Sequence, residues 1–358
     1  MKANAQGFLF PVIREDLCIN CGLCVKQCAF QTTGQAFPSS KEFYAVKHTD
    51  PATRAASRSG GIFTAVSDWI LAKKGAVYGC KMVDCKTAIH ARATTSEERN
   101  AFRGSKYIQS KTSHIFPQVL EDLRAGLWVL FTGTPCQVHA LQSFCSQADT
   151  SKLICIDVVC HGVPSPKVWG DYIDLLEKQA GKKIISVDFR DKQKFGWASH
   201  RETVVFTDGS DYSGTAFRKL FYDHYLIREA CFACPYKSLH RAGDFSIADC
   251  WGIHDAHPDF DDNKGVSLVL INNTLARKIY SELSELESIP VNIQQFMQPC
   301  LEKNWPVPTE YQEFWAYYQK HSFQKILDKY VYHKPGLCQR LKEKILWIPR
   351  RILNKFRK

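Results

Sequence analysis

Residues 128–159 read WVLFTGTPCQVHALQSFCSQADTSKLICIDVV and decide the fold class. Trp128–Phe131 is a short apolar run that predicts a buried strand, and Leu153–Val159 predicts the next strand along the chain. Pro135–Cys145 predicts the helix between them, because proline suits the first helical position. A strand, a helix and a second strand in this order favour neighbouring parallel strands.

The same alternation of strands and helices extends to both sides. Upstream, Ser59 is positioned to cap a helix that carries Ile62, Val66, Trp69 and Ile70 on its apolar face and ends at Gly75. Downstream, Pro166 opens a helix that ends near Gly181. Further strands are predicted at Ala76–Val83, Thr87–Ala93, Val187–Arg190, Glu202–Thr207 and Tyr212–Thr215, the last two joined by a turn at Asp208–Gly209. We therefore predict an α/β fold with a mixed sheet and flanking helices.

The cysteine content is unusual for a chain of this size. The 358 residues include 15 cysteines and are 45% hydrophobic, so a core can form without disulfides. The N-terminus lacks a signal-peptide pattern, and no apolar run reaches the ~18 residues of a membrane span. We expect a cytoplasmic protein, in which clustered thiols indicate metal or redox chemistry.

The formal net charge of +11 comes mostly from one end of the chain. Residues 337–358 carry eight Lys and Arg and one Glu, a net of +7. A basic excess confined to a tail is a poor indication of nucleic-acid binding, and no nucleic-acid partner is expected.

A compact cysteine motif lies near the N-terminus. Cys18, Cys21, Cys24 and Cys28 have the spacing of a bacterial-ferredoxin cluster loop, in which the fourth cysteine ligates the other cluster of a two-cluster unit. A [4Fe–4S] cluster is the predicted occupant, and a zinc knuckle or reduced, idle thiols are the alternatives. Since no second such motif is present, we expect an incomplete ferredoxin unit whose first half is absent. Cys28 then either ligates the remaining cluster or has no cluster.

Four more cysteines occur in the body of the chain. Cys136 and Cys160 each follow an apolar strand, and Cys231 and Cys234 form a Cys-x2-Cys pair. Open α/β sheets build their sites at the carboxyl ends of strands, so these thiols are placed to form a four-cysteine site. Spacing alone leaves the alternative that they are buried small hydrophobic residues.

Several stretches resemble the coenzyme F420 hydrogenase/dehydrogenase beta-subunit family, in the order of that family and across about residues 7–275. They are Ser59–Thr64 (SGGIFT), residues 102–110 (FRGSKYIQS), 133–137 (GTPCQ), 159–166 (VCHGVPSP), 189–191 (FRD), 231–234 (CFAC), 243–252 (GDFSIADCWG) and 264–269 (KGVSLV). Ala248 and Cys250 depart from the Gly and Phe that the family more often has, so Cys250 is an extra thiol of open role.

The resemblance implies a body that binds FAD and one [4Fe–4S] cluster, with Cys136, Cys160, Cys231 and Cys234 as the cluster ligands. It also implies electron conversion between two-electron hydride chemistry at the flavin and one-electron transfer through clusters. Helix starts with glycine suit phosphate groups, although such starts are more often simple caps. The predicted FAD-binding residues are Ser59, Gly60, Gly61, Thr64, Gly104, Ser105, Lys106, Gly133, Thr134, Pro135 and Asp249.

The remaining expectations concern neighbouring residues and partners. His161 is the candidate proton-handling residue, with a structural role as the alternative, whereas Arg190, Asp191 and Trp197 are expected to support the structure. The expected partners are a redox protein or ferredoxin and a small-molecule hydride donor or acceptor. An electron-transfer subunit without its own substrate and a zinc-stapled binding protein are the competing functions.

The predicted domains are a ferredoxin-like segment at 1–40, a flavin and iron–sulfur body at 41–330, and a basic amphipathic tail at 331–358. The tail alternates apolar and basic residues, which suits an anionic membrane surface. Packing of the tail on the body, or into an acidic groove of a partner subunit, is the alternative.

Overall fold

The structure is a computed structural model that describes residues 1–26, 28, 30, 37, 39–40, 42–112 and 114–332. The strands are β1 Lys2–Ala3, β2 Leu9–Phe10, β3 Glu42–His48, β4 Ala76–Met82, β5 Ala88–Ala93, β6 Val129–Gly133, β7 Leu153–Val158, β8 Ile184–Asp188, β9 Glu202–Phe206, β10 Asp211–Gly214, β11 Phe245–Asp249, β12 Ser267–Ile271 and β13 Leu286–Pro290. The helices are α1 Leu23–Lys26, α2 Pro51–Ala56, α3 Ile62–Ala72, α4 Ser96–Asn100, α5 Ile115–Arg124, α6 Pro135–Phe144, α7 Pro166–Ala180, α8 Lys192–Phe195, α9 Ala216–Tyr222, α10 Ile253–Ala256, α11 Thr274–Ser281, α12 Tyr311–Tyr318 and α13 Phe323–Tyr330.

The main sheet has eight strands in the order β13-β3-β12-β11-β7-β6-β4-β5. Strands β11, β7, β6 and β4 run parallel, whereas β12, β3, β13 and β5 each pair antiparallel with a neighbour. The predicted α/β fold with a mixed sheet is therefore confirmed. β6 and β7 read as continuous apolar runs because helices cover both faces of the parallel part.

The two faces of β6 and β7 enter different cores. Leu130 and Ile154 pack with Ile62, Val66 and Ile70 of α3. Their neighbours Phe131 and Cys155 point to the opposite face and pack with Val138 and Leu141 of α6. This period of two places α3 and α6 on opposite sides of the sheet.

The predicted helices α6 and α7 form as their end signals indicate. Pro135 occupies the first turn of α6. Ser165 caps α7 by accepting from Val168 N at 3.3 Å, and Gly181 ends it with a φ of +67°. The start of α3 differs from the prediction, because its N-cap is Gly61 and the Ser59 hydroxyl instead donates to Val266 O at 2.7 Å.

A separate three-stranded antiparallel sheet has the order β10-β9-β8. Its turn lies at Asp208–Gly209, as predicted, with a φ of +82° at Gly209. The predicted strand Val187–Arg190 is displaced and forms instead at β8. Arg190 leaves the strand because Asp188 Oδ1 accepts from Arg190 N at 2.8 Å, which closes an Asx turn.

The chain divides into two compact units, residues 1–311 and 312–358. In the second unit, α13 carries Lys329, whose ammonium lies 2.6 Å from the Glu313 carboxylate, and the rings of Phe314 and Tyr330 are 5.0 Å apart. The described part of the chain contains no helix that is long and apolar enough to cross a membrane. The predicted basic tail lies outside the described residues from position 333 onward.

Replacing Ile154 by Ala should lower the free energy of unfolding by ~2–5 kcal/mol, because this fully buried side chain of β7 leaves a cavity in the core. Ile185 of β8 is 60% exposed and provides the matched control. Its Ile→Ala variant should change the free energy of unfolding by less than ~0.5 kcal/mol. Urea denaturation measures both, and equal losses would show that the assignment of buried and exposed faces is wrong.

Candidate functional site at the carboxyl edge of the sheet

The parallel strands end along one edge of the main sheet. β6 ends at Gly133, β7 at Val158 and β11 at Asp249. Cys136 follows the first of these ends and Cys160 the second. Open α/β sheets place ligand sites in the crevice outside such ends, so this edge is the candidate site.

Cys136 is held in the first turn of α6. Pro135 precedes it, and Thr134 N donates to the Gln137 side chain at 3.0 Å, which fixes the helix start. The Thr134 hydroxyl lies 3.1 Å from Cys136 Sγ. The capping residue therefore also contacts the predicted ligand.

Cys231 lies in a 3-10 turn formed by Glu229–Ala233, and Cys234 is the residue that ends it. Cys231 N donates to Arg228 O at 2.8 Å, and Arg228 N donates to Val163 O at 3.0 Å. These bonds attach the turn to the chain that follows Cys160. The sequence-distant pair is thus brought to the end of β7.

The four thiols lie within electrostatic range of one another. Burial raises the pKa of Cys136 to about 12, and the neighbouring Cys231 and Cys234 raise it as well. Burial likewise raises the pKa of Cys160 well above its ordinary value, and the other three thiols add to that shift. The structure therefore gathers all four predicted body ligands in one place.

Three cations face these thiols. Arg228 lowers the pKa of Cys136 and Cys231 against the effect of burial, and Lys237 does the same for Cys231 and Cys234. Arg241 acts on Cys234. Positive charge beside buried thiols suits a group that binds them as thiolates, since metal ligation requires deprotonated cysteine.

Within the described ranges, no three His, Cys, Asp or Glu side chains are spaced to hold a single metal ion. A tetrahedral zinc site with Zn–S bonds of about 2.3 Å needs its sulfurs roughly 4 Å apart. A [4Fe–4S] cubane keeps its cysteine sulfurs further apart. The donor set itself, four cysteines, is one that both zinc ions and iron–sulfur clusters use.

The predicted flavin-binding residues Ser59, Gly60 and Asp249 lie on the β11 side of the same edge. Ser59 and Gly60 bond to Val266 and Ser267 of the chain entering β12, and Ser267 pairs with Asp249. A Cβ on Gly60 would lie 2.0 Å from Val46 O and 2.6 Å from Ser267 N. Gly60 is therefore required for close strand packing, which the sequence did not indicate.

The loop with Gly104, Ser105 and Lys106 is open. Gly104 has a φ of +78°, and no atom lies within 4 Å of a Cβ built on it. Lys106 Nζ donates to the carbonyl oxygens of Ala101, Arg103 and Gly104, and burial lowers the pKa of Lys106 to about 8. The predicted Thr64 is buried nearby and accepts from Arg103 Nε at 3.2 Å.

Asp249 is the centre of a buried network. Arg190 Nη1 donates to Asp249 Oδ2 at 2.6 Å, and Trp197 Nε1 donates to Oδ1 at 3.0 Å. Burial raises the pKa of Asp249, but Arg190 and Arg58 outweigh it and lower the pKa overall. Arg190 Nη2 also lies 2.8 Å from His200 Nε2. Asp249 is thus an ionised carboxylate enclosed by cations.

His161 packs against two aromatic rings beside Cys160. Its centroid is 4.9 Å from that of His224 and 4.7 Å from that of Trp305. Burial lowers the pKa of His161 to about 3, and its buried Nε2 has no hydrogen-bond partner among the described residues. The imidazole is therefore neutral, with one nitrogen available to a ligand or water.

The N-terminal segment contacts the body through its strand β2 and through Cys28. Arg228 Nη1 donates to Leu9 O at 3.3 Å, and its guanidinium lies 3.9 Å from the Phe10 ring centre. Burial raises the pKa of Tyr236, and Cys136, Cys234 and Cys28 raise it further. The other three motif cysteines, Cys18, Cys21 and Cys24, are exposed.

Residues 127–292 match the family model for the C-terminal part of the beta subunit of coenzyme F420 hydrogenase/dehydrogenase. A curated relative, the F420-dependent formate dehydrogenase 1 subunit beta of Methanococcus maripaludis, is 27% identical over 221 residues, which are 60% of this chain and 53% of the relative. The chain spans about half the length of that relative. Both matches support the resemblance to the coenzyme F420 hydrogenase/dehydrogenase beta-subunit family.

A solved structure shares the fold of this chain. A chain of the F420-reducing [NiFe] hydrogenase complex from Methanosarcina barkeri superposes with a TM-score of 0.51 and 17% identity, covering 82% of this chain and 93% of that one. The likeness concerns the fold alone.

Arg58, Lys237 and Arg241 lie outside the motifs that carry the family resemblance, so those motifs did not indicate them. Arg58 is far in sequence from Asp249, the carboxylate that it faces, and no spacing rule links the two. Lys237 and Arg241 could have been suspected from the sequence, because they follow a few residues after Cys234. Cys300 was also missed; it lies beyond the matched segment and contributes to the pKa shift of Cys160.

Replacing Arg190 by Gln should lower the free energy of unfolding by ~3–5 kcal/mol, because Asp249 would remain as a buried charge without its main partner. The double variant R190Q/D249N should be less destabilised than the sum of the single variants. Urea denaturation at neutral pH measures all three, with the exposed Arg201→Gln as the control. Additive losses would show that the pair does not act as a unit.

The same pair predicts a pH dependence. The folded pKa of Asp249 is lowered, so its stabilising contribution is complete above the ordinary aspartate pKa of about 3.9 and is lost as the pH falls through the lower folded value. The stability difference between the wild-type protein and D249N should accordingly shrink only below about pH 4.

Proposed function

We propose that this chain is a flavin-dependent iron–sulfur oxidoreductase whose body holds a [4Fe–4S] cluster. The observation that carries the proposal is the gathering of four partly buried thiols at the carboxyl edge of β6 and β7, facing three cations. The proposed cluster ligands are Cys136, Cys160, Cys231 and Cys234.

The residues around the thiols have defined tasks in this proposal. The Thr134 hydroxyl lies 3.1 Å from the Cys136 sulfur and would donate a hydrogen bond to it in the thiolate form, which lowers the electron density on that ligand. Arg228 and Lys237 offset the negative charge of the thiolates. Such outer-shell groups set the redox potential of a cluster, so the chain tunes the site through them.

We further propose that FAD occupies the crevice beside the cysteines. Its diphosphate would be held by the open Gly104–Lys106 loop and by the α3 and α6 starts at Gly61 and Thr134. Bound flavin supplies hydride exchange with a small molecule, while a cluster supplies one-electron transfer. Asp249 is ionised and stays enclosed by Arg190 and Arg58, so its part is to hold the wall of the crevice.

His161 contributes a neutral imidazole whose Nε2 is available for a hydrogen bond. Its ring is fixed by His224 and Trp305, and its own carbonyl accepts from Lys237 Nζ at 3.1 Å. A fixed neutral imidazole next to a cluster ligand can donate to or accept from a bound group without adding charge. This supports a role in orienting the group at that position.

The proposed electron path runs between a cluster at the surface and a small molecule at the flavin, and each of these two ends implies a partner. The exposed Cys18, Cys21 and Cys24 would hold the second [4Fe–4S] cluster at the surface, where a redox protein can approach. The small-molecule partner is a hydride carrier, for which coenzyme F420, named for both relatives, is the first candidate to test. A cytoplasmic location, the boundaries at residues 40 and 330, and membrane contact by the tail belong to the same proposal.

The body cluster is tested by replacing Cys136 or Cys231 with Ala, which removes one thiolate ligand. Each variant should lose the body cluster, and iron and acid-labile sulfide should fall by about four per chain after anaerobic purification. Cys145 is also buried but packs within the apolar core, so C145A is the matched control and should keep its iron. Zinc in place of iron in the wild-type protein would favour the zinc-stapled alternative.

The flavin proposal is tested by replacing Lys106 with Gln. Loss of a charge-assisted bond to the diphosphate should raise the Kd for FAD by about tenfold to a hundredfold, corresponding to ~1.5–3 kcal/mol. The exposed Lys111 on the same loop offers a control, because K111Q keeps the Lys106 contacts. Flavin fluorescence titration of the apoprotein measures both, and an unchanged Kd in K106Q would place the diphosphate elsewhere. Gly60 is unsuitable for this test, because a side chain there would clash with β3 and the chain entering β12.

A further inference from the structure

His200 and Tyr222 extend the buried network around Asp249. His200 Nε2 lies 2.8 Å from Arg190 Nη2, and His200 Nδ1 lies 2.5 Å from the Tyr222 hydroxyl oxygen. A guanidinium nitrogen can only donate, so His200 Nε2 accepts and the proton of the neutral imidazole lies on Nδ1. Burial and the Arg190 charge lower the pKa of His200 to about 3, which keeps the ring neutral.

This tautomer decides how the Tyr222 hydroxyl can bond. Its oxygen accepts from His200 Nδ1, so its own proton needs a different acceptor. Tyr107 is in the same position, because its hydroxyl oxygen accepts from Arg190 Nη1 at 3.4 Å. Within the described part of the chain, neither hydroxyl has an acceptor for its proton, and the buried Arg190 Nε has none either. Three donors are therefore left over.

The side chains that carry these donors line one small cavity. Its volume is about 10 Å³, which is room for a single oxygen atom. Tyr107 directly follows Lys106 of the proposed diphosphate loop. Arg190 is paired with Asp249, which forms the proposed wall of the flavin crevice. The cavity therefore adjoins both parts of the proposed flavin site.

The charges around the cavity balance one another. Arg190 is neutralised by Asp249 at 2.6 Å. Arg218 and Glu202 also line the cavity and carry opposite charges. A phosphate or carboxylate would be repelled by the Glu202 carboxylate, since juxtaposed like charges are costly. Unpaired donors in a balanced field suit an uncharged oxygen with partial negative charge, such as a carbonyl.

We propose that this cavity receives a ring carbonyl oxygen of a hydride carrier, to which Tyr222 and Tyr107 donate hydrogen bonds. The inference rests on the proposed function and deepens it, because it assigns residues to the reacting ring. The pyrimidine rings of flavins and deazaflavins carry such carbonyls, so the oxygen belongs either to bound FAD or to the small-molecule carrier. Hydride addition places negative charge on these oxygens, and fixed donors stabilise that charge.

The experiment uses the full-length protein loaded with FAD and removes one hydroxyl at a time. If the oxygen belongs to FAD, Y222F and Y107F should each weaken the preference for reduced over oxidised flavin about tenfold. For a two-electron couple this is a fall of ~30 mV in the midpoint potential, measured by spectroelectrochemistry. If the oxygen belongs to the small-molecule carrier, each variant should instead raise the Kd for oxidised coenzyme F420 about tenfold, with an unchanged flavin potential.

Y225F is the matched control, because the Tyr225 hydroxyl donates to Glu310 Oε2 at 2.9 Å. It should equal the wild-type protein in both measurements. Wild-type values of the flavin potential and of the Kd for coenzyme F420 in both Y222F and Y107F would overturn the inference, even if the variants melt at a lower temperature. An ordered water would then fill the cavity, and the hydroxyls would serve stability alone.

If Y222F does not fold, Y107F decides by the same two measurements. A wild-type protein that binds no FAD would contradict the proposed function itself. Normal FAD binding together with unchanged variants would contradict only the carbonyl site, so the two failures are distinguishable.

Discussion

A buried ion pair between Asp157 and Arg241 joins the end of β7 to the chain that leads from Cys234 into β11. The two side chains are 0% and 1% exposed. Arg241 also donates to Tyr236 O and Ser246 Oγ, and Asp157 Oδ2 accepts from Gly243 N at 2.8 Å. Both charges are thereby paired and hydrogen-bonded, which is the condition for burying them.

This pair fixes how the cysteine site is assembled. Asp157 lies three residues before Cys160, and Arg241 lies seven residues after Cys234. Their contact brings two ligand-bearing segments to one place and leaves the Arg241 charge beside Cys234. Gly243 completes the junction, since a Cβ there would lie 2.6 Å from Phe245 O and 2.8 Å from Asp157 N. The backbone approaches so closely that only glycine fits.

The edge of the sheet is divided electrostatically. Around β6 and β7, burial would keep the thiols protonated, and cations counteract that effect. Around β11, the single carboxylate of Asp249 is enclosed by Arg190 and Arg58, with the stacked rings of Trp197 and Trp251 beside it, 4.9 Å apart. The first half suits anionic ligation of iron, and the second forms a rigid wall.

The sequence by itself determined the α/β class, the β6-α6-β7 unit and the places of Cys136 and Cys160 at strand ends. Those features depend on local signals, such as apolar runs and proline at a helix start, together with the general rule on parallel strands. It also indicated the resemblance to the coenzyme F420 hydrogenase/dehydrogenase beta-subunit family, which the comparisons support. The prediction for Ser59 as a cap was wrong, because that hydroxyl found a partner about 200 residues away at Val266.

Only the tertiary structure decided which charges face the cysteines and which glycines serve packing. Arg228 contacts Leu9 and faces the thiols, and Asn304 and Trp305 bond to Cys234 N and His161 O from far along the chain. Such contacts depend on long-range pairing of strands β3, β12 and β11, whose order in the sheet departs from their order in the chain. The local pattern of apolar residues does not specify the order of strands in the sheet. The residues that surround the site could therefore be identified only from the tertiary structure.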